Sequence, residues 1–186
     1  MKESRELFVE EYAGRLYPNV SEGLFYENDA GRLLLGDCMD VMQSLEEGSV
    51  DMIFADPPYN IGKSRDWDCW SSMEEYIEWT ERWVRAASRI LKPDGTMYVC
   101  GFSEIIALCQ APAMKYFASC KWTIWSYRNK ANLSNDWGRS HEAILCFRKG
   151  KRFTFNVDDV RVPYNAHTMK YPQRTQGETS QYAREG

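Results

Sequence analysis

Four consecutive residues, Asp56-Pro57-Pro58-Tyr59, carry the groups needed to hold an exocyclic amino group. The carboxylate accepts a hydrogen bond from such a group. The two prolines have no N–H of their own, which leaves their carbonyls as acceptors. The tyrosine offers a flat face on which an aromatic base can stack. The apolar run Val50-Asp51-Met52-Ile53-Phe54-Ala55 just before them reads as a buried strand, so the four residues fall at a strand end. Pro-Pro after a strand is also ordinary turn punctuation, and four residues alone do not separate the two readings.

The flanking residues do. Gly36-Asp37-Cys38 lies upstream, Ser49-Val50-Asp51 leads into the strand, and Asn60 follows the tyrosine. Further on come Leu91-Lys92-Pro93-Asp94-Gly95-Thr96 and Trp125-Ser126-Tyr127-Arg128-Asn129-Lys130. In this order the series resembles the permuted beta group of DNA amino-methyltransferases, over roughly residues 31–155. The resemblance implies an α/β fold: a Rossmann-like, S-adenosylmethionine-dependent methyltransferase sheet with helices on both faces, incomplete in this chain. It implies methyl transfer from S-adenosyl-L-methionine to the amino group of a base flipped out of double-stranded DNA, a step that needs a pocket with stacking and edge contacts. Asp56, Pro57, Pro58 and Tyr59 are then the catalytic residues. Asp56 and the Pro57 carbonyl would orient the amino group and free its lone pair from the ring. Asp37 and the Cys38 backbone N–H would meet the adenine of the cofactor. Asp rather than Ser at the head of the motif favours adenine N6 over cytosine N4, on the resemblance alone.

DNA contact is read from residue type. Arg128, Asn129, Lys130 and Arg139 lie in a loop rich in donors and flat faces, with Trp125 and Trp137; Asn60, Lys63 and Arg65 form a second patch beside the motif. Residues 1–60 hold 4 Lys/Arg against 13 Asp/Glu, and residues 121–186 hold 12 against 6. A net charge of −4 therefore hides a basic C-terminal third of the kind phosphate contact requires. No apolar run reaches 18 residues, and the start of the chain is charged with no apolar signal core, which leads to an expected cytoplasmic location. The six cysteines lack zinc-ligand spacing, and amino-methylation needs no thiol nucleophile.

A 186-residue chain is one domain by its length. We expect a peripheral arm over residues 1–30 with some helix near 6–14, a catalytic domain over 31–155, and the start of a target-recognition region or a tail over 156–186. Within the domain, strands are expected at 32–36, 50–55, 96–100, 121–127 and 142–148, with a further one at 153–157. A short helix is expected at 41–45. Tyr76, Trp79, Trp83, Ala86, Ala87 and Ile90 recur at helical spacing, which predicts a helix from a Ser71 or Ser72 cap. Pro93-Asp94-Gly95 is expected as a turn, and a second helix from residue 103 to about 117 is bent or ended by Pro112. The alternation predicts a largely parallel sheet with Asp37 and Asp56 on one edge, and an antiparallel finish.

Methyltransferases of this group also carry a Phe-x-Gly-x-Gly-type loop that lets the backbone approach the cofactor closely. Residues 156–186 contain none, and Gly150, Gly177 and Gly186 stand alone. The chain is therefore expected to need a second polypeptide, or a C-terminal half, that carries the glycine-rich motif. The competing expectation is an inactive remnant that at most binds DNA.

Overall fold

Ser72 opens the longest helix. Its hydroxyl accepts from the backbone N–H of Glu75 at 3.2 Å, while the Glu75 carboxylate accepts from the Ser71 N–H at 2.9 Å, a reciprocal cap. The structure is a computed structural model and describes residues 23–62, 68–128, 137–163 and 169–170. The expected helix near 6–14 and the candidate DNA contacts Lys63, Arg65, Asn129 and Lys130 lie outside the described residues.

In chain order the elements are β1 (Gly23–Asn28), β2 (Gly31–Leu35), α1 (Cys38–Ser44), β3 (Val50–Ala55), α2 (Met73–Ile90), β4 (Leu91–Gly101), α3 (Ser103–Ala113), a 3-10 turn (Met114–Tyr116), β5 (Ser119–Ser126) and β6 (His141–Arg148). The four-stranded sheet has the order β3-β4-β6-β5. β3 and β4 run parallel, and β6 runs antiparallel to both β4 and β5. The chain separates into two compact units, Met1–Thr154 and Phe155–Gly186; every strand among the described residues belongs to the first, and in the second a 3-10 turn spans Val157–Val160.

One apolar layer holds the helices to the sheet. Trp83, Val84 and Ala87 of α2 and Ile106 and Ala113 of α3 pack on Met97, Val99, Ala143, Leu145 and Phe147, with Ile53, Ala55 and Met39 and Met42 of α1 at its margin. Within this first unit α1, α2 and α3 thus pack on one face of the sheet. At the edge, Met52 and Phe54 of β3 stay exposed.

The structure departs from four expectations. Pro93-Asp94-Gly95 is not a turn between elements but a bulge inside β4. Val50 pairs with Leu91 and Met52 with Thr96, so four residues of β4, 92–95, are set against Asp51 alone of β3. Residues 153–157 form no strand; the Thr154 N–H bonds back to the Asp94 carbonyl, and Val157 opens the 3-10 turn. A strand appears at Gly23–Asn28 within the stretch read as an arm. It pairs antiparallel with β2, and Asn28 closes the connection by accepting from the N–H groups of Ala30 and Gly31. Finally, β2 belongs to this separate two-stranded hairpin rather than to the main sheet, so Asp37 does not share a sheet edge with Asp56.

Candidate active site

The mixed strand directions decide which residues meet. Parallel β3 and β4 end on the same edge, and antiparallel β6 begins there. Ala55 pairs with Val99, Cys100 with Ile144, Gly101 with Ala143 and Glu142 with Trp125. That edge therefore gathers Asp56–Tyr59, Gly101 and Phe102, Trp125, and Glu142. Gly101 allows the tight connection into α3: a Cβ there would lie 2.0 Å from a methyl of Ile106.

Tyr59 is the hub. Its hydroxyl lies 2.8 Å from Oδ1 of Asp56 and 3.2 Å from Oε2 of Glu142. Burial, then the hydrogen bond to Asp56 and the charges of Asp56 and Glu142, push the Tyr59 phenol far above its ordinary value. It therefore stays protonated and acts as the donor. Burial, with the same two carboxylates behind it, also pushes the Cys100 thiol up to about 11, so this cysteine is no nucleophile at neutral pH. The Tyr59 ring meets Phe102 edge-on at 4.9 Å, and the Arg139 guanidinium sits 3.7 Å over the Phe102 ring.

Below the motif, the buried Tyr76 hydroxyl donates to the Pro58 carbonyl at 2.8 Å, which fixes the second proline. Asn60 follows in the left-handed region, at φ 55°. The buried Asp68 carboxylate holds it there by accepting from the Asn60 N–H at 2.6 Å and the Ile61 N–H at 3.4 Å. The Asn60 side-chain oxygen in turn accepts from the Trp70 N–H at 3.3 Å. Asn60, expected as a DNA contact, is thus placed as a loop staple.

The remaining expected site residues are spread out. Asp37 caps α1 by accepting from the Met39 N–H at 2.8 Å, and Cys38 is the first residue of that helix. α1 is tied to α2 through Arg89, which donates to the carbonyls of Met42 and Leu45. Arg128 is exposed just beyond β5. Arg139 is engaged within the chain: besides covering Phe102 it forks onto both oxygens of Glu104. That hydrogen-bonded pairing pulls the Glu104 carboxyl down to about 2. The sign follows: the pair contributes fully above the ordinary glutamate range near 4.3 and is lost as pH falls towards 2. Glu104 is more than half exposed, so the contribution is small. In Arg139→Ala we expect the Glu104 titration, followed by carboxyl NMR, to return upward to the ordinary range; an unmoved titration would reject the pairing.

Sequence reasoning misses Glu142, Phe102 and Asp68. In the sequence Glu142 marks only the start of a strand, and its meeting with Tyr59 follows from strand order.

Residues 50–184 match the family described as DNA methylase. The chain belongs to that family. The methylase chain is 35% identical over 138 residues to the type II methyltransferase M.HpaI of Haemophilus parainfluenzae, a match that covers 71% of this chain and 43% of that protein. It is 32% identical over 141 residues to the DNA adenine methyltransferase YhdJ of Escherichia coli K12, covering 74% and 48%. Among solved structures, the cytosine-N4-specific PvuII DNA methyltransferase superposes with a TM-score of 0.56 at 16% identity, over 67% of this chain and 51% of that one. TTHA0409 of Thermus thermophilus in complex with S-adenosyl-L-methionine gives 0.51 at 20% identity, over 69% and 58%. These two likenesses support the methyltransferase fold. The methylase chain spans about half the length of the curated relatives it matches.

Proposed function

We propose that this methylase chain holds the target amino group in a DNA amino-methyltransferase, with adenine N6 as the acceptor. The carrying observation is the Asp56 carboxylate at the sheet edge, beside a Pro-Pro pair whose second carbonyl is held by Tyr76 and a tyrosine fixed by its hydroxyl. A carboxylate at this place accepts from an amino group, and the neighbouring Pro57 carbonyl is the second acceptor. Two acceptors at this place would orient the nitrogen for reaction. The name of YhdJ, an adenine methyltransferase, supports adenine over cytosine.

S-adenosyl-L-methionine is the methyl donor in this reading, and when bound it supplies an electrophilic methyl group. The residues present fit its adenine end. An acidic side chain at the cap of α1 sits beside the backbone N–H of the first helical residue, Cys38. One acceptor next to one donor matches the edge of adenine. The methionine end falls to a second contributor, a further segment or a separate polypeptide with the glycine-rich loop. The exposed Met52 and Phe54 on β3, whose outer edge is unpaired among the described residues, support that contributor.

DNA is the partner, reached through Arg128 and the basic C-terminal third. Arg139 serves this reading by positioning Phe102 under Tyr59. The test is methyl transfer from labelled cofactor to duplex DNA in the presence of the glycine-loop contributor, with the product digested to nucleosides. N6-methyladenine is the expected product. N4-methylcytosine would overturn the choice of base, and no labelled nucleoside would favour the inactive remnant.

Tyr59→Ala is expected to weaken the hold on the flipped base by about 1–3 kcal/mol, the usual worth of one base–aromatic stack. Tyr59→Phe keeps the face and should lose no more than about tenfold in rate, the scale of one hydrogen bond. Equal damage from Phe and Ala in a steady-state assay would reject stacking.

A further inference from the structure

The Tyr59 hydroxyl has one proton and two carboxylate neighbours, Asp56 on the β3 edge and Glu142 on β6. Asp56 is the acceptor assigned above to the substrate amino group, so the nearer of the two bonds competes with substrate. We propose that Glu142 is a positioning residue for methyl transfer: it takes over the Tyr59 O–H when the amino group occupies Asp56, and so keeps the ring in place while the Asp56 carboxylate turns to the substrate. The proposal rests on the methyltransferase reading above.

The geometry carries it. The two oxygens lie at 2.8 and 3.2 Å from the same hydroxyl, so the proton changes acceptor by rotation about the C–O bond with no movement of the ring. Glu142 is half-buried and pinned by its strand: it pairs with Trp125 on β5, and its neighbour Ala143 is fully buried against Gly101. The ring is held independently by Phe102, which Arg139 covers. The groups that act on the phenol come from three elements: Asp56 from the end of β3, Cys100 from β4 and Glu142 from β6. Of these, Cys100 stays neutral at pH 7, so Glu142 is the remaining charged acceptor once Asp56 is engaged. Without a second acceptor the O–H would either hold on to Asp56 against the substrate or be left without a partner as the base covers it, a penalty for any buried donor.

The test places 3,5-difluorotyrosine at position 59 of the 186-residue chain, because that phenol titrates in an accessible range and its absorbance reports ionisation. The expected midpoint lies above that of the free analogue and falls in Glu142→Gln, which keeps the shape and removes the charge. Glu142→Asp, with the charge withdrawn by one methylene, should fall between the two and serves if the glutamine variant does not fold. A midpoint that ignores both substitutions overturns the proposal. In the methylating form, Glu142→Gln should lower kcat about five- to tenfold with little change in KM for DNA, and should add nothing in a Tyr59→Phe background. A loss that adds in full to that of Tyr59→Phe also overturns it, since Glu142 would then act other than through the hydroxyl. The titration needs neither DNA nor methyl transfer, so its failure is distinguishable from failure of the methyltransferase reading.

Discussion

Asp56→Ala should reduce single-turnover methyl transfer by ~10²–10³ while DNA affinity stays near that of the parent protein, because removing one preorganised polar partner of the reacting group typically has an effect of that size. The carboxylate is exposed at the strand end, so its removal opens no cavity. Tyr59 retains Glu142 as an acceptor and Phe102 as a ring partner. The fold is therefore expected to change by no more than about 0.5 kcal/mol, as for other exposed positions. Asp56→Asn should fall between: it keeps one acceptor oxygen but brings two donors to face an amino group that itself donates. Rapid-quench transfer of a labelled methyl group and filter binding of the same duplex separate the two effects. Near-normal turnover in the alanine protein would end the assignment of Asp56.

The second large effect is structural. Asp68→Ala should destabilise the chain by about 1.5–3 kcal/mol, the range for hydrogen bonds to a charged group. Asp68 is 3% exposed, and its carboxylate holds the N–H groups of Asn60 and Ile61. Asn60 has φ 55°, which a non-glycine residue keeps only when its surroundings enforce it. Releasing the carboxylate frees this residue to leave the left-handed region and removes the reason for the chain to turn directly after Tyr59. Urea denaturation should show a lower midpoint, with Asp68→Asn less affected because an amide oxygen still accepts. An unchanged midpoint in the alanine protein would mean that the loop is held by other contacts.

Much of the molecule is legible from local pattern. The β3 run and the motif after it are contiguous. α2 announces itself through Tyr76, Trp83, Ala87 and Ile90 on one face and Ser72 at its start, and the observed cap and buried face agree. The failures have non-local causes. Pro93-Asp94-Gly95 has the composition of a turn, but β3 and the 149–154 segment hold it within β4 as a bulge, with the Lys149 N–H bonded to the Gly95 carbonyl. β1 is hidden because Gly23 and acidic neighbours read as arm, whereas its strand character comes from pairing with β2. Asp37 falls on the main edge only if a single sheet is assumed. Phe102, Glu142 and Asp68 carry no local signature; each gains its place from the approach of chain segments distant in sequence.

The strand order has a consequence in time as well as in space. β6 is the last strand of the sheet in the chain, yet it lies between β4 and β5 and is bonded to both. Until residues 141–148 insert, β4 and β5 have no common neighbour, and the tyrosine has no second carboxylate, since its contact with Glu142 closes a loop of 83 residues. Contacts of such separation are late and slow to form, because loop closure is paid for before they reward it. The nascent chain therefore acquires its motif early and its site late. A chain released before residue 148 would display Asp56 and Tyr59 on an unfinished sheet, and the arrangement that readies them for chemistry would appear in one step with the final strand.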